Sequence, residues 1–504
     1  SMTTDGNSTI TVQLKDAAGN NLAASAGTVA LSTTIGTLGT VTDNNNGTYT
    51  ATLTSTATGT ATITGTLDGT TIADDATVTI GVGAAAVSTT TITAIPPSMT
   101  TDGNSTITVQ LKDAAGNNLT ASAGTVALST TIGTLGTVTD NNNGTYTATL
   151  TSTATGTATI TGTLDGTTIA DDATVTIGVG AAAVSTTTIT AIPPSMTTDG
   201  NSTITVQLKD AAGNNLTASS GTVALSTTVG TLGTVTDNNN GTYTATLTST
   251  ATGTATITGT LDGTDITDNA TVSITVGSAS VTTTTITAVP TSITTDGSST
   301  VTVQLKDAAG NNLAASAGTV ALSTTIGTLG TVTDNNNGTY TATLTSTATG
   351  TATITGTLDG TDITDDATVT IGVGVAAVAT TTITAVPTGM TTDGSSTITV
   401  QLKDAAGNDL AASAGTVALS TTIGTLGTVT DNNNGTYTAT LTSTATGTAT
   451  ITGTLDGTDI TDNATVSITV GAASAATTEI TAVPPSMTTD GNSTITVQLK
   501  DAAG

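Results

Sequence analysis

The sequence repeats itself with a period of 97 residues. The phrase Thr-Thr-Asp-Gly recurs along the whole chain, with its aspartate at Asp5, Asp102, Asp199, Asp296, Asp393 and Asp490. A solenoid repeat is shorter, at roughly 20 to 50 residues. A period of 97 residues is instead the size of a small domain with its own hydrophobic core. The chain is therefore predicted to fold as a row of near-identical domains.

The side chains available in each period restrict the chemistry that the chain can perform. The sequence has no Cys, His, Trp or Phe, and its formal net charge is −29. This acidity argues against nucleic acid as a partner, because phosphate contacts need Lys and Arg. Without His or Cys, few pairs of nucleophile and base remain, so we expect no enzymatic activity. No apolar run approaches the roughly 18 residues of a membrane span, and we expect no membrane insertion by this segment.

Residues that alternate between apolar and polar indicate short β-strands throughout the period. In the second period, Ile107, Val109 and Leu111 alternate with polar residues, and this spacing is typical of a half-buried strand. Tyr146 and Leu150 belong to another such run. Thr occupies most of the outward positions, which suits a solvated strand face. Seven short strands separated by turns predict an all-β fold, an antiparallel sandwich of two sheets.

The period divides the chain into five domains and a fragment. The predicted repeats, numbered 1 to 6 below, are residues 1–83, 84–180, 181–277, 278–374, 375–471 and 472–504. Repeat 1 lacks the first strand of the period, and repeat 6 contains only the first two strands. Because both ends of the chain fall inside a period, we interpret the chain as an excerpt of a longer protein.

One motif resembles a known family. The pattern Asp-x-x-x-Gly-x-Tyr-x-Ala-x-Leu is formed by Asp140, Gly144, Tyr146, Ala148 and Leu150. Together with the segments 100–119 and 140–166, this pattern resembles the bacterial immunoglobulin-like domains of the invasin and intimin type, although filamin-type repeats share part of it. The resemblance implies a tandem array of seven-stranded immunoglobulin-like β-sandwich domains. In that family, such domains stack head to tail as stalks of outer-membrane adhesins and large surface proteins.

The resemblance implies a structural role outside the cell. We predict the stalk or spacer region of a bacterial or archaeal surface adhesin, extracellular or at the cell surface, which extends a binding tip from the cell. The expected partners are the neighbouring repeats of the same chain. The near identity of the periods also resembles long surface fibres. The alternative is therefore a subunit of a self-assembling extracellular fibre, sheath or biofilm matrix, in which identical chains exchange strands.

The aspartates of each period fall mainly in loops. If the seven strands alternate up and down, Asp113, Asp140 and Asp165 share the end of the sandwich that receives the preceding domain. Asp5 of that preceding domain then faces them. Because Ca²⁺ prefers carboxylate and carbonyl oxygens, the sequence predicts an inter-domain calcium site from these four residues and their equivalents 97 residues apart. Asp and Asn are also favoured in any β-turn, so solvated turn residues are the alternative.

Three other residue types stand out in the period. The tyrosines are predicted to be structural anchors of the core, at Tyr49, Tyr146, Tyr243, Tyr340 and Tyr437. Lys112 is a candidate for a crosslink between Lys and Asn side chains, but it follows Leu111 and so points outward, away from the core that such a bond requires. The Asn-x-Ser/Thr sequences at Asn104 and Asn143 are acceptors for N-glycosylation in secreted proteins, and the sequence leaves their modification open.

Overall fold

The computed structural model describes residues 1–504, which form β-strands connected by turns and loops. The residues divide into two compact units. Unit 1 contains residues 1–195, 202–248 and 254–273, and unit 2 contains residues 196–201, 249–253 and 274–504. Nowhere does the chain form a helix with the length and hydropathy of a membrane span.

The strands of the first two repeats define the pattern of the whole chain. Repeat 1 contains β1 Met2–Thr3, β2 Asn7–Gln13, β3 Val29–Thr33, β4 Thr37–Leu38, β5 Thr42–Asp43, β6 Thr48–Thr54, β7 Gly59–Leu67, β8 Thr70–Thr71 and β9 Ala76–Gly81. Repeat 2 contains β10 Thr91–Ile95, β11 Ser98–Thr100, β12 Asn104–Gln110, β13 Val126–Thr130, β14 Thr134–Leu135, β15 Thr139–Asp140, β16 Thr145–Thr151, β17 Gly156–Leu164, β18 Thr167–Thr168 and β19 Ala173–Gly178.

The later repeats contain the same strands at the same spacing. Every strand of repeat 2 recurs after 97, 194 and 291 residues as β20 to β29, β30 to β39 and β40 to β49; Thr91–Ile95, for example, recurs as Thr188–Ile192, Thr285–Val289 and Thr382–Val386. In repeat 6 the strands are β50 Glu479–Val483 and β51 Thr494–Gln498.

The ten strands of repeat 2 form two five-stranded sheets. The first sheet has the order β10-β12-β16-β14, with β15 also paired to β16, and the second has the order β11-β19-β17-β13, with β18 also paired to β17. Antiparallel pairing aligns Ile107 with Ala148 and Val109 with Tyr146, so the apolar side chains of β12 and β16 share one face. Between β11 and β19 the pairing is parallel. β11, near the start of the repeat, and β19, at its end, are therefore neighbours in one sheet.

The hydrophobic core of repeat 2 lies between the two sheets. From the first sheet, Ile107, Val109 and Leu150 are completely buried, and from the second sheet so are Ile160 and Val175. Repeats 4 and 5 contain equivalent clusters. Because side chains alternate along a strand, the remaining positions face solvent, and these are the threonines. The all-β sandwich that the alternation predicts is confirmed.

The number of strands differs in detail from the prediction. Seven strands of repeat 2 have three or more residues, and three have only two. The predicted strand at residues 132–138 is represented only by the two-residue strand β14, and β15 follows it at Thr139–Asp140. Gly133, with a φ of 83°, lies before β14 and separates it from β13. The first strand of the period was predicted to end or kink at Pro96 and Pro97, and β10 ends at Ile95, since proline has no N–H to donate to a ladder. The short strand β11 after the prolines was not predicted.

Candidate functional site at the junction between repeats

The loop Asp210–Asn214 of repeat 3 is organised by its own aspartate. Oδ1 of Asp210 accepts hydrogen bonds from the backbone N–H groups of Ala212, at 3.0 Å, and Asn214, at 2.8 Å. The amide nitrogen of Asn214 donates to Oδ2 at 3.0 Å. Gly213 has a φ of 90°, a conformation that suits glycine. Local hydrogen bonds of this kind are the reason that Asp, Asn and Gly dominate turns.

Repeat 2 supplies three further hydrogen bonds to this loop. The hydroxyl of Thr101 donates to Oδ2 of Asp210 at 2.6 Å, and the backbone N–H of Gly180 donates to the same oxygen at 3.1 Å. In return, the amide of Asn214 donates to the carbonyl oxygen of Thr153 at 2.9 Å. Asp210 is 1% exposed. The junction therefore consists of a buried carboxylate that receives donors from both repeats.

Hydrogen bonding keeps this buried carboxylate ionised. Burial by itself would raise the pKa of Asp210, because an apolar environment disfavours the charged form. The donors from Thr101, Asn214 and Gly180 outweigh burial and hold the pKa well below the ordinary value of an aspartate. The charged acceptor makes these hydrogen bonds stronger than neutral ones. At neutral pH the junction contains a carboxylate without a basic partner, stabilised by hydrogen bonds alone.

The same pair of residues joins each repeat to the next. In unit 1 the hydroxyl of Thr4 donates to Asp113, and Thr101 donates to Asp210. In unit 2 the equivalent donors and acceptors are Thr198 and Asp307, Thr295 and Asp404, and Thr392 and Asp501. The donor is the second Thr of Thr-Thr-Asp-Gly, and the acceptor opens the Asp-Ala-Ala-Gly loop of the following repeat. The two motifs therefore recognise each other across every junction.

The linker between repeats 2 and 3 passes very close to this pair. A Cβ atom added to Gly180 would lie 2.8 Å from Oδ1 of Asp102 and 2.9 Å from the hydroxyl of Thr101. A side chain at position 180 would therefore displace the hydroxyl of Thr101, which donates to Asp210, whereas glycine leaves room for it. Farther along, the hydroxyl of Thr186 donates to the backbone carbonyl of Asp210 at 2.6 Å. The loop is thus attached to the linker as well as to the preceding repeat.

Two of the four predicted calcium ligands meet at one junction. The carboxylate of Asp5 accepts the N–H of Ala84 at 3.0 Å, and its negative charge is close enough to that of Asp113 to affect its pKa. Asp113 is completely buried and accepts hydrogen bonds from Thr4 and, at 3.1 Å, from the N–H of Gly83. Asp5 and Asp113 therefore lie at the same junction, where Thr4, next to Asp5 in the chain, donates to Asp113.

The other two predicted ligands serve their own repeat. Asp140 accepts hydrogen bonds from the hydroxyl of Ser122 and from the N–H of Asn142. Asp165 accepts the N–H of Thr125 at 2.7 Å. The structure contains no group of three or more acidic side chains that could hold a metal ion. The inter-domain calcium site of Asp5, Asp113, Asp140 and Asp165 stays a prediction.

The tyrosines lie in the core at the junction end of each repeat. Tyr146 is 4% exposed, and its hydroxyl donates to the carbonyl oxygen of Gly124 at 2.8 Å. Burial, and next the nearby charge of Asp140, raise the pKa of Tyr146. Equivalent hydrogen bonds are made by Tyr49, Tyr243, Tyr340 and Tyr437. The ring and the hydroxyl therefore attach the loop at residues 120–125 to the sandwich.

Three residues of the junction were not among the residues predicted from the sequence. Thr101, Gly180 and Asn214 contribute hydrogen bonds there, but none was a candidate, because Thr, Gly and Asn are abundant in this chain. A signal was available within the sequence. Glycine is invariant at positions 83, 180, 277, 374 and 471, whereas the residue after it changes among Ala, Ser and Val. Comparing the repeats with one another would have identified the glycine.

These features define a class of protein: a tandem array of immunoglobulin-like sandwiches in which each repeat hydrogen-bonds to the next. The family described as invasin, domain 3, matches residues 1–83, 86–180, 183–277, 280–374 and 377–471. The chain belongs to this family. The resemblance to bacterial immunoglobulin-like domains of the invasin type is therefore confirmed. A comparison with curated protein sequences finds no match.

Several solved structures are similar to the chain. The Escherichia coli adhesin FdeC is 26% identical, with 57% of this chain and 99% of that chain covered and a TM-score of 0.35. Invasin, a bacterial integrin-binding protein, is 24% identical, with 75% and 78% covered and a TM-score of 0.36. InvD of Yersinia pseudotuberculosis is 24% identical, with 57% and 98% covered and a TM-score of 0.34. The family assignment rests on the sequence match.

Proposed function

We propose that this chain is a load-bearing spacer in an extracellular bacterial surface adhesin, where it separates a binding tip from the cell. The observation that carries the proposal is the junction: a buried aspartate receives donors from the preceding repeat at every boundary. Hydrogen bonds to a buried charged group restrict movement between neighbours, because breaking one leaves the charge unsatisfied. Membership of the invasin domain 3 family supports the location outside the cell.

Apolar contact adds to the polar junction. Val82 precedes repeat 2, yet it packs against the hydrophobic core of repeat 2 together with Ala85. The linker is therefore covered on one side by the repeat that follows it. Short linkers without a Gly/Ser tract are less flexible than random coils. Together with the carboxylate, this packing supports a spacer whose neighbours do not move freely.

The pairing of β11 with β19 helps each repeat to resist a pulling force. These two strands are parallel, with Ser98 opposite Thr176 and Thr100 opposite Gly178. Tension on the two ends of the repeat reaches β11 through β10, which pairs with β12 in the other sheet. Force that reaches β11 is opposed to the force on β19 along the length of the two strands. All of the hydrogen bonds between them then resist together, whereas in peeling they would break one at a time. This arrangement supports a role in carrying force.

The chemistry of the interior supports a structural role in place of a catalytic one. Every buried side-chain nitrogen and oxygen has a hydrogen-bond partner. Catalytic groups need a free lone pair or proton directed at a substrate, and the buried carboxylates of the junction have theirs directed at Thr, Asn and Gly donors. The polar groups of the junction therefore hold the repeats together.

Sedimentation and small-angle scattering of the full chain across a concentration series test the proposal. A spacer keeps the mass of one chain at every concentration. Its radius of gyration should change when Asp210→Asn removes hydrogen bonds of the junction, and should not change in the matched control Asp16→Asn. Mass that grows with concentration would instead establish the alternative, a self-assembling fibre. The same series with millimolar calcium and then with a chelator tests the calcium prediction, because a bound ion would make the two scattering profiles differ.

A further inference from the structure

Each complete repeat contains an Asn-Gly-Thr sequence that the spacer function does not use. The asparagines are Asn46, Asn143, Asn240, Asn337 and Asn434. Asn-x-Thr is the acceptor sequence for N-glycosylation, which takes place on surface loops of secreted proteins. In repeat 2 this sequence forms the turn between β15 and β16. The structure decides whether the acceptor nitrogen can be reached.

The asparagine of the turn is exposed, and its amide nitrogen is free. Asn143 and its neighbour Asn142 are both exposed. The carbonyl oxygen Oδ1 of Asn143 accepts the N–H of Thr145 at 3.0 Å and the hydroxyl of Thr145 at 2.6 Å. Nδ2 of Asn143 donates to no protein group. The oxygen is therefore held by the threonine of the acceptor sequence, and the nitrogen faces solvent.

The backbone keeps the turn open around this nitrogen. Asn142 has a φ of 58° and Gly144 has a φ of 82°, which reverse the chain in two residues. Asn141 donates its amide to the hydroxyl of Thr145 at 2.9 Å, so the threonine is fixed from both sides. The acceptor is thus presented at the tip of a hairpin in a defined geometry.

A second acceptor sequence lies in a strand and not in a turn. Asn104 is exposed at the first position of β12, where it pairs with Thr151 of β16, and Ser105 pairs with Leu150. Ser105 is buried, and its hydroxyl donates to the carbonyl oxygen of Pro96 at 2.7 Å. Repeats 4 and 5 have Ser at the position of this asparagine. A transferase that must bind the acceptor as a loop would have to detach the first residues of β12 from β16 to bind it.

We propose that the turn asparagine, Asn143 and its equivalents, is an N-glycosylation site of the folded protein, with a glycosyl diphosphate as the donor. The bond that forms joins Nδ2 to the anomeric carbon of the sugar. The bond that breaks joins this carbon to the diphosphate oxygen, and the diphosphate leaves with the bonding electrons. The amide proton passes to a base of the transferase. The donor is a nucleoside diphosphate sugar or a lipid diphosphate sugar, which share this chemistry.

The test uses the folded full chain in two reactions, one with a soluble N-glycosyltransferase and UDP-glucose, the other with a membrane oligosaccharyltransferase and a lipid-linked oligosaccharide. Intact mass spectrometry counts the sugars that are added, and the reaction that adds them identifies the donor. The exposed Asn-x-Thr sequences outside the strands at Asn118, Asn215, Asn269, Asn463 and Asn492 are first replaced by Gln in the parent chain. We then expect at least one reaction to add five sugars, which disappear when all five turn asparagines are replaced by Gln. Thr145→Val removes one sugar, and Thr145→Ser retains it.

The matched control is Asn104→Gln, which we expect to leave the count unchanged in the folded chain. Heat-unfolded chain supplies a second control, because there the strand sequence becomes accessible and should gain sugar. The proposal is overturned if the folded chain gains no mass in either reaction. It is also overturned if, in the folded chain, Asn104→Gln removes as much sugar as Asn143→Gln does.

Discussion

Two loops with the same sequence differ in their surroundings. Asp16–Asn20 in repeat 1 and Asp210–Asn214 in repeat 3 both read Asp-Ala-Ala-Gly-Asn. Within each loop the hydrogen bonds are nearly identical: Oδ1 of Asp16 accepts the N–H groups of Ala18 and Asn20, both at 2.9 Å. Asp16 is nevertheless exposed, whereas Asp210 is buried by donors from the preceding repeat.

The loop has the same internal hydrogen bonds with and without a preceding repeat beside it. All of the bonds to Oδ1 come from within the loop, and the preceding repeat adds bonds only to Oδ2 of Asp210. Because the loop is already ordered, docking loses little conformational entropy. The pKa of Asp16 is lowered by Asn20, first through its side chain and then through its backbone, so the loop also holds its charge by itself. The five residues therefore form the same turn whether or not a preceding repeat covers them.

The largest expected difference between the two loops follows replacement of the aspartate. Asp210→Asn substitutes an NH₂ group for one carboxylate oxygen. With the NH₂ group in place of Oδ2, the two donors from repeat 2, Thr101 and Gly180, lose their acceptor, and the amide of Asn214 loses one of its contacts. We expect the unfolding free energy of the affected repeats to fall by about 2 to 3 kcal/mol. Calorimetry of the full chain would then show a separate transition at lower temperature. Asp16→Asn is the matched control and should leave the melting profile unchanged; equal effects of the two variants would refute the comparison.

Removing the donor from repeat 2 should have a smaller effect. Thr101→Val keeps the shape of the side chain but deletes its 2.6 Å hydrogen bond to Asp210. One hydrogen bond to a charged group is worth about 1.5 to 3 kcal/mol, and we expect the lower part of this range because Gly180 and Asn214 continue to donate. Thr101→Ser retains the hydroxyl and should melt near the wild type. If Ser destabilises as much as Val, packing of the methyl group explains the effect, and the hydrogen bond does not.

Adding a methyl group at Gly180 should lower the unfolding free energy by less than the two preceding changes. In Gly180→Ala the new Cβ would lie within 2.9 Å of the Thr101 hydroxyl, so side chains of repeat 2 must shift. We expect a loss of about 1 kcal/mol, at the low end for overpacking. Gly178→Ala is the control two residues away, where the nearest atom to a Cβ is 3.9 Å distant. Thermal unfolding should distinguish the two variants, and a silent Gly180→Ala would show that the linker can move aside.

Acidification from pH 7 to about pH 4 should have the smallest effect on the unfolding temperature. The folded pKa of Asp210 is lowered below the value of about 3.9 for an unfolded aspartate. A lowered pKa stabilises the folded state above the unfolded pKa, and this stabilisation is lost as pH falls through the folded pKa. We expect constant unfolding temperatures from pH 7 to about pH 4 and a decrease only below this range, weaker in Asp210→Asn. A decrease that starts above pH 5 would show that another group controls the junction.

Much of the fold could be predicted from the sequence because the evidence for it is local. The period of 97 residues and the alternation around Ile107 and Tyr146 determine the size of the repeat and the faces of its strands. The sequence failed where short strands depend on a neighbour: β14 and β15 have two residues each, too few for a pattern to emerge. Their pairing with β16 is a tertiary contact.

The junction divides in the same way between the sequence and the tertiary structure. By itself, the sequence determined the loop that begins at Asp113, because Asp, Ala, Gly and Asn at this spacing form their hydrogen bonds locally. It also indicated that Asp5 approaches this loop, because the end of one repeat must meet the start of the next. Only the tertiary structure decided that Thr4 supplies the hydroxyl and that Gly83 leaves space for it. Thr4 and Asp113 lie 109 residues apart, and a contact over this distance in the sequence depends on how two folded repeats meet.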